Sequence, residues 1–152
     1  MSRKLALVLR IFLGIVFLYA AYTKLRQPWL VFAMSIDAYQ LLPSWAVLTV
    51  ARTLPAAELV LGALLVFGTF LRYAAPALTV LLIGFYAAMI RAYAAGAGID
   101  CGCFGVGEAV SVVTLARDGV LLASSLILTF LVIKRGRTEL QPIIHRPTAF
   151  VS

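Results

Sequence analysis

The chain has 152 residues, of which 63% are hydrophobic and only 12% charged, and it carries a formal net charge of +7. Its mean hydropathy is +1.03, while soluble domains carry about 25% charged residues. So few charges cannot cover a water-facing surface, which excludes a soluble enzyme, a disordered chain and a nucleic-acid module. The positive excess reads as charge at a lipid surface rather than as a phosphate-binding patch.

Four apolar runs succeed one another along the chain. Leu5–Thr23 is broken only by Arg10, and Leu54–Leu71 contains Glu58. Ala74–Ala95 contains Arg91, and Val112–Ile133 contains Arg117 and Asp118 near its start. At about 1.5 Å of rise per residue each run is long enough for a hydrocarbon core of about 30 Å. Backbone groups in lipid must satisfy one another, and no run alternates with period two, so the runs are helices. The expected fold is an all-α integral membrane protein, a four-helix transmembrane bundle over residues 1–133, with 134–152 as a cytoplasmic tail of little fixed structure. A cleaved signal peptide is the other reading of the first run. Its length, the interruption at Arg10 and the three similar spans after it argue against that.

Between the first two spans, Trp29, Phe32, Ala33, Ile36 and Gln40 fall at helical spacing, and Pro28 suits a first helical position. Both tryptophans of the chain, Trp29 and Trp45, lie in this stretch. An amphipathic helix in the headgroup layer, or packed over the bundle mouth, is expected over Pro28–Gln40. Ser44 is a candidate cap for an extension of the second span, with Pro55 as a kink. Lys and Arg divide unevenly. Arg3, Lys4, Arg10, Arg72, Lys134, Arg135, Arg137 and Arg146 fall on one side, and Lys24, Arg26, Arg52, Arg91 and Arg117 on the other. The richer side is expected in the cytoplasm with both termini, which leaves the loops Lys24–Thr53 and Gly96–Ser111 external to an inner or plasma membrane.

Asp100-Cys101-Gly102-Cys103-Phe104-Gly105 holds both cysteines, one residue apart, in a glycine-rich loop on the expected oxidising side. Cysteines at i and i+2 lie within reach of a bridge, and so small a ring is strained and easily reduced. It removes little chain entropy, so it suits exchange better than stapling. Two small residues in a turn, or two thiolates holding a soft ion such as Cu(I), are the other readings. A Cys/His site of four ligands is excluded, since the chain has two cysteines and one histidine. Ionisable groups collect at the level of this loop: Lys24, Glu58, Arg91, Arg117 and Asp118. Lys24–Glu58 and Arg91–Asp118 are candidate pairs, and Lys24 or Arg91 is a candidate to favour a cysteine thiolate, against the plain alternative of a structural ion network. Arg10, near the other end, is expected to snorkel. Gly14, Gly62, Gly68 and Gly84 are candidates for close helix contact. Phe17, Tyr19, Tyr22, Phe85, Tyr86, Tyr93 and Phe104 are candidates to line a quinone pocket, or else plain packing and interface anchors.

These landmarks resemble a family. Arg10 with Gly14 and Phe17, Lys24-Leu25, Tyr39-Gln40-Leu41-Leu42-Pro43, Leu54-Pro55 with Glu58 and Gly62, Cys101-Gly102-Cys103-Phe104-Gly105, and Arg117-Asp118 are similar to the DoxX-like membrane proteins. Within that group they resemble the methylamine-utilisation MauE branch, over about residues 10–133. The resemblance implies a four-helix membrane protein linked to redox maturation. It implies disulfide formation in an exported dehydrogenase subunit beside a separate thioredoxin-like partner, with Cys101 and Cys103 as the exchanging pair. Two functions stand open on the sequence. One is a membrane thiol–disulfide oxidoreductase supported by Lys24, Glu58, Arg91 and Asp118. The other is a non-enzymatic integral subunit of a larger membrane complex. A transporter is a poorer fit, because no broken-helix pair marks the midplane.

Overall fold

The computed structural model describes residues 2–96, 98–101, 104 and 108–144. Five helices run in order: α1 (Ser2–Leu25), α2 (Trp29–Asp37), α3 (Ser44–Phe67), α4 (Leu71–Ala94) and α5 (Val112–Ile144). Four stretches are long and apolar enough to cross a membrane: Arg3–Leu25, Ser44–Phe67, Leu71–Ala94 and Val112–Arg135. Only between 22% and 33% of each is buried within the chain. The remaining surface, with Val8, Ile15, Val60, Val80, Val120 and Phe130 exposed, is apolar and is solvated by the bilayer. This is a multi-pass helical membrane protein.

The span boundaries depart from the expected ones where proline and glycine act. The second span begins at Ser44 rather than Leu54, because Pro55 lies buried inside α3 without ending it. Proline is more readily accommodated inside a membrane-spanning helix than in a soluble one. Pro43, not Ser44, occupies the cap position, its carbonyl accepting from the N–H of Ala46 and Val47 at 2.9 and 3.0 Å. Pro28 likewise stands before α2 rather than inside it. At the other end of α3, Gly68 takes the left-handed φ of 77° and returns its N–H to the Leu64 carbonyl, an αL helix stop. α5 runs on to Ile144, so residues 134–144, expected to lack fixed structure, continue the helix of the last span. Elongating a formed helix fixes one residue per hydrogen bond, and Lys, Arg, Glu, Leu and Gln favour it. Residues 145–152, His145 among them, lie outside the described residues.

Packing fixes the order of the bundle. α1 lies against α3 and α5, α4 lies against α5, and α3 and α4 touch over a shorter stretch despite the tight turn between them. α1 and α3 approach closest where Gly14 faces Gly62. A Cβ on Gly14 would stand 3.0 Å from the Gly62 carbonyl oxygen, and one on Gly62 would stand 3.0 Å from the Gly14 carbonyl oxygen. Around this crossing Leu13, Phe17, Leu65, Leu78, Leu121 and Leu128 close the core. α2 folds onto α3 through Phe32 and Ala33 against Val47, Ala51 and Leu54, so the expected external helix packs on the bundle, its Trp29 and Met34 exposed.

Arg10, expected to snorkel, reaches the α3–α4 turn at the end of the bundle. Its guanidinium folds over the α3 terminus, with Nη2 3.5 Å from the Val66 carbonyl and Nη1 on the place a Gly68 Cβ would take. A cation at a helix C-terminus answers the partial negative charge of the last carbonyls.

Candidate functional site

The chemistry-bearing residues gather at the end of the bundle that carries α2. The α4–α5 loop folds back on itself there. The Cys101 N–H donates to the Glu108 carbonyl at 2.7 Å and the Val110 N–H to the Ile99 carbonyl at 2.9 Å, around an antiparallel bridge between Asp100 and Ala109. This brings Cys101 and Glu108 side by side. Ser111 and Thr114 then cap α5 reciprocally, Ser111 N–H to Thr114 Oγ1 at 2.8 Å and Thr114 N–H to Ser111 Oγ at 3.3 Å. Arg117 follows about one turn further along α5.

Arg117 is the hub. Its Nη1 donates to Glu108 Oε2 at 2.7 Å and its Nε to Asp118 Oδ1 at 3.1 Å. Its Nη2 lies 4.0 Å from Cys101 Sγ, and its plane covers the Phe104 ring at 4.5 Å. The Cys101 thiol points at the same carboxylate, Sγ to Glu108 Oε2 at 3.8 Å. Tyr39, from the turn after α2, donates its hydroxyl to the Cys101 carbonyl at 3.1 Å. Cys101 is thus buried, at 7% exposure, between a proton acceptor and a fixed cation. Cys103 and Gly102 lie outside the described residues.

Lys24 and Glu58 meet, with Nζ 2.9 and 3.0 Å from the two carboxylate oxygens and exposures of 3% and 2%. The ammonium stands 5.6 Å from the Phe32 ring centroid, so one ion pair ties α1 to α3 beneath α2. The Arg91–Asp118 pair does not form. Arg91 is exposed beside the buried stripe of Met89 and Ala92 on α4, and Asp118 accepts from its chain neighbour Arg117 instead.

Two cavities open beside these groups. The larger, about 230 Å³, lies in the α3–α4 seam under α2 and is bounded by Phe32, Tyr39, Leu54, Gly84, Phe85, Met89 and Cys101, among others. The smaller, about 30 Å³, has room for about one water and is bordered by Glu58, Asp118, Phe17, Tyr86 and Phe104. The expected aromatic pocket is therefore redistributed. Of its seven members only Phe85 lines the larger cavity, while Tyr19, Tyr22 and Tyr93 are exposed at 57%, 54% and 49%. Phe32 and Tyr39, from the α2 region, take the vacant places. Glu108 and the hub role of Arg117 also escaped the sequence reading. The described glycines of this loop, Gly96 and Gly98, take left-handed φ values of 61° and 57°, and the pairing of Cys101 with Glu108 sets the carboxylate beside the thiol.

Four lipid-facing spans, closed at one end by a charged loop that buries a cysteine against an apolar cavity, define a small membrane protein with its reactive groups at one face. The family model described as methylamine utilisation protein MauE matches residues 2–131. The chain belongs to the MauE family. Methylamine utilization protein MauE of Paracoccus denitrificans is 36% identical over 121 residues, which cover 78% of this chain and 64% of that protein. The chain thus spans under two thirds of the length of this curated relative. No solved structure matches the chain. The wider DoxX-like grouping rests on the sequence landmarks alone.

Proposed function

We propose that this protein is a membrane thiol–disulfide redox protein that delivers disulfides to exported proteins through Cys101 and Cys103. The process it serves is methylamine utilisation, for which the Paracoccus denitrificans relative is named. The observation that carries the reading is the setting of Cys101 Sγ, 3.8 Å from the Glu108 carboxylate and 4.0 Å from the Arg117 guanidinium. In the oxidised protein a thiolate of the partner attacks Cys103, and Cys101 leaves as the thiolate. Arg117 holds that negative charge, and a stabilised leaving thiolate departs faster. A second partner thiolate then attacks the partner's own sulfur in the mixed disulfide and expels the Cys103 thiolate. The partner leaves with a new S–S bond, and the protein keeps two thiols once protons are taken up. Glu108 is placed to pass a proton to and from Cys101. The partner is a thioredoxin-like protein, and the loop faces the outside of the inner or plasma membrane with both termini in the cytoplasm. Lys24 and Glu58 support the site as the strut beneath it, and Asp118 by orienting Arg117. Arg91 plays no part at the sulfur.

Thiol trapping on intact cells tests this. Cys101 and Cys103 are expected to alkylate only after reduction, and Cys101→Ser alone is expected to leave a mixed disulfide between Cys103 and a captured partner. Free thiols under oxidising conditions, or an intact pathway after replacing both cysteines with serine, would falsify the reading. The alternative, a non-enzymatic subunit of a larger membrane complex, would then take its place, checked by co-migration in mild detergent.

A further inference from the structure

The cavity of about 230 Å³ beside Cys101 is not needed for exchange with a partner outside the membrane. It is bounded by α2, α3 and α4, between two spans that touch only over a short stretch, and is lined by Phe32, Leu54, Phe85 and Met89, with the Tyr39 and Ser35 hydroxyl-bearing residues on the α2 side. Its size is below that of drug-sized sites, at about 300–1,000 Å³, and suits a single substituted ring. A ligand there must come from lipid, since the walls are apolar and the spans on both sides face the bilayer. The sulfur of Cys101 is the one reactive atom among the described lining residues.

We propose that this cavity binds the ring of a lipid-soluble quinone, which reoxidises the cysteine pair. The inference rests on the exchange reading above and names its electron acceptor. The Cys101 and Cys103 thiols lose two electrons and two protons and join through an S–S bond. The quinone takes up both electrons and both protons and leaves as the quinol. Glu108 accepts the Cys101 proton, and Arg117 holds the thiolate that meets the ring. Gly84 on α4 is exposed and borders the cavity, and a Cβ there would find nothing within 4 Å. A larger side chain at this position can therefore enter the cavity without displacing backbone.

The test uses the purified full chain in detergent with a decyl-substituted benzoquinone. Trp29 and Trp45 are the chain's two tryptophans and stand on the two helices that flank the cavity, so quinone binding is read from their fluorescence. Saturable quenching is expected in the wild type, and the prereduced protein should lose two thiols per quinone consumed. Gly84→Leu, and Ala88→Leu one turn further on, should each weaken quenching by about tenfold or more, roughly 1.4 kcal/mol. Circular dichroism and a monodisperse elution profile confirm that each variant is folded. Quenching that rises linearly and ignores both fillings overturns the proposal, as does equal competition by decylbenzene, which would mark a cleft for an acyl chain. A wild-type protein that exchanges disulfides with a dithiol peptide but leaves quinone unreduced also overturns it, and spares the exchange reading. Absence of Cys101-dependent exchange overturns that reading instead.

Discussion

Single residues at this site draw their effect from burial and from what stands beside them. The Lys24–Glu58 pair is closed from both water and lipid, at 3% and 2% exposure, so removing one partner strands the other charge. Glu58→Ala should cost about 3–5 kcal/mol in denaturant unfolding from detergent, whereas Lys24→Met with Glu58→Leu together should recover most of it. Equal losses in single and double variants would show that the pair contributes through packing alone. Arg117 acts by geometry as much as by charge. It spans Glu108, Asp118, the Phe104 ring and the Cys101 sulfur, and a lysine ammonium cannot make those contacts at once. Arg117→Lys is therefore expected to slow Cys101-dependent exchange nearly as much as Arg117→Ala does, in a stopped-flow assay with a dithiol peptide. A lysine variant with wild-type rates would reduce Arg117 to a point charge. Of these residues the sequence showed which were chemically able. It did not show which touch, because Arg91 on α4 and Arg117 on α5 are told apart by which way each helix turns its face, not by residue type.

Among the elements, the α1–α3 crossing and the α3 stop are the positions where shape decides. Gly62→Leu drives a side chain into the Gly14 carbonyl, 3.0 Å from the first added carbon. It should lower stability by about 1–3 kcal/mol and separate α1 from α3, as read by thermal unfolding. Gly68→Ala meets two objections, the left-handed φ of 77° and the Arg10 guanidinium. The first costs about 1–2 kcal/mol in any background. The second should vanish in an Arg10→Ala background, so the glycine substitution should cost measurably less there. α2 is held mainly by Phe32 and Ala33 on α3. Phe32→Ala should raise hydrogen exchange in α2 amides while those of α3 stay protected, since the spans are fixed independently of it. The sequence displayed α2 through its helical spacing and its tryptophans. It could not display the α5 extension to Ile144, because helix elongation depends on the span that precedes it and not on the tail's own composition.

For the molecule as a whole, the sidedness of the bundle governs whether the chemistry can occur. In a background with both native cysteines replaced by serine, Asp37→Cys in α2 should react with a membrane-impermeant maleimide on intact spheroplasts, and Thr69→Cys in the α3–α4 turn only after lysis. Both sites are exposed and lie at opposite ends of α3. The reverse labelling pattern would put the sulfur in the reducing compartment and remove the basis for disulfide delivery.

The number and the apolar composition of the spans were determined by the sequence alone. Transfer of a side chain into lipid depends on that side chain, and the terms add along the run whatever the neighbours do. The adjacency of the two cysteines in the chain is equally a property of sequence. Only the tertiary structure decided that Glu108 and Arg117, and not Arg91, stand at the Cys101 sulfur, and that the cavity beside it is walled by Phe32 and Tyr39. Those neighbours depend on the rotation of each helix about its axis and on a loop that folds back through the Asp100–Ala109 bridge. Both are set by packing between segments distant in sequence, which no local run of residues encodes.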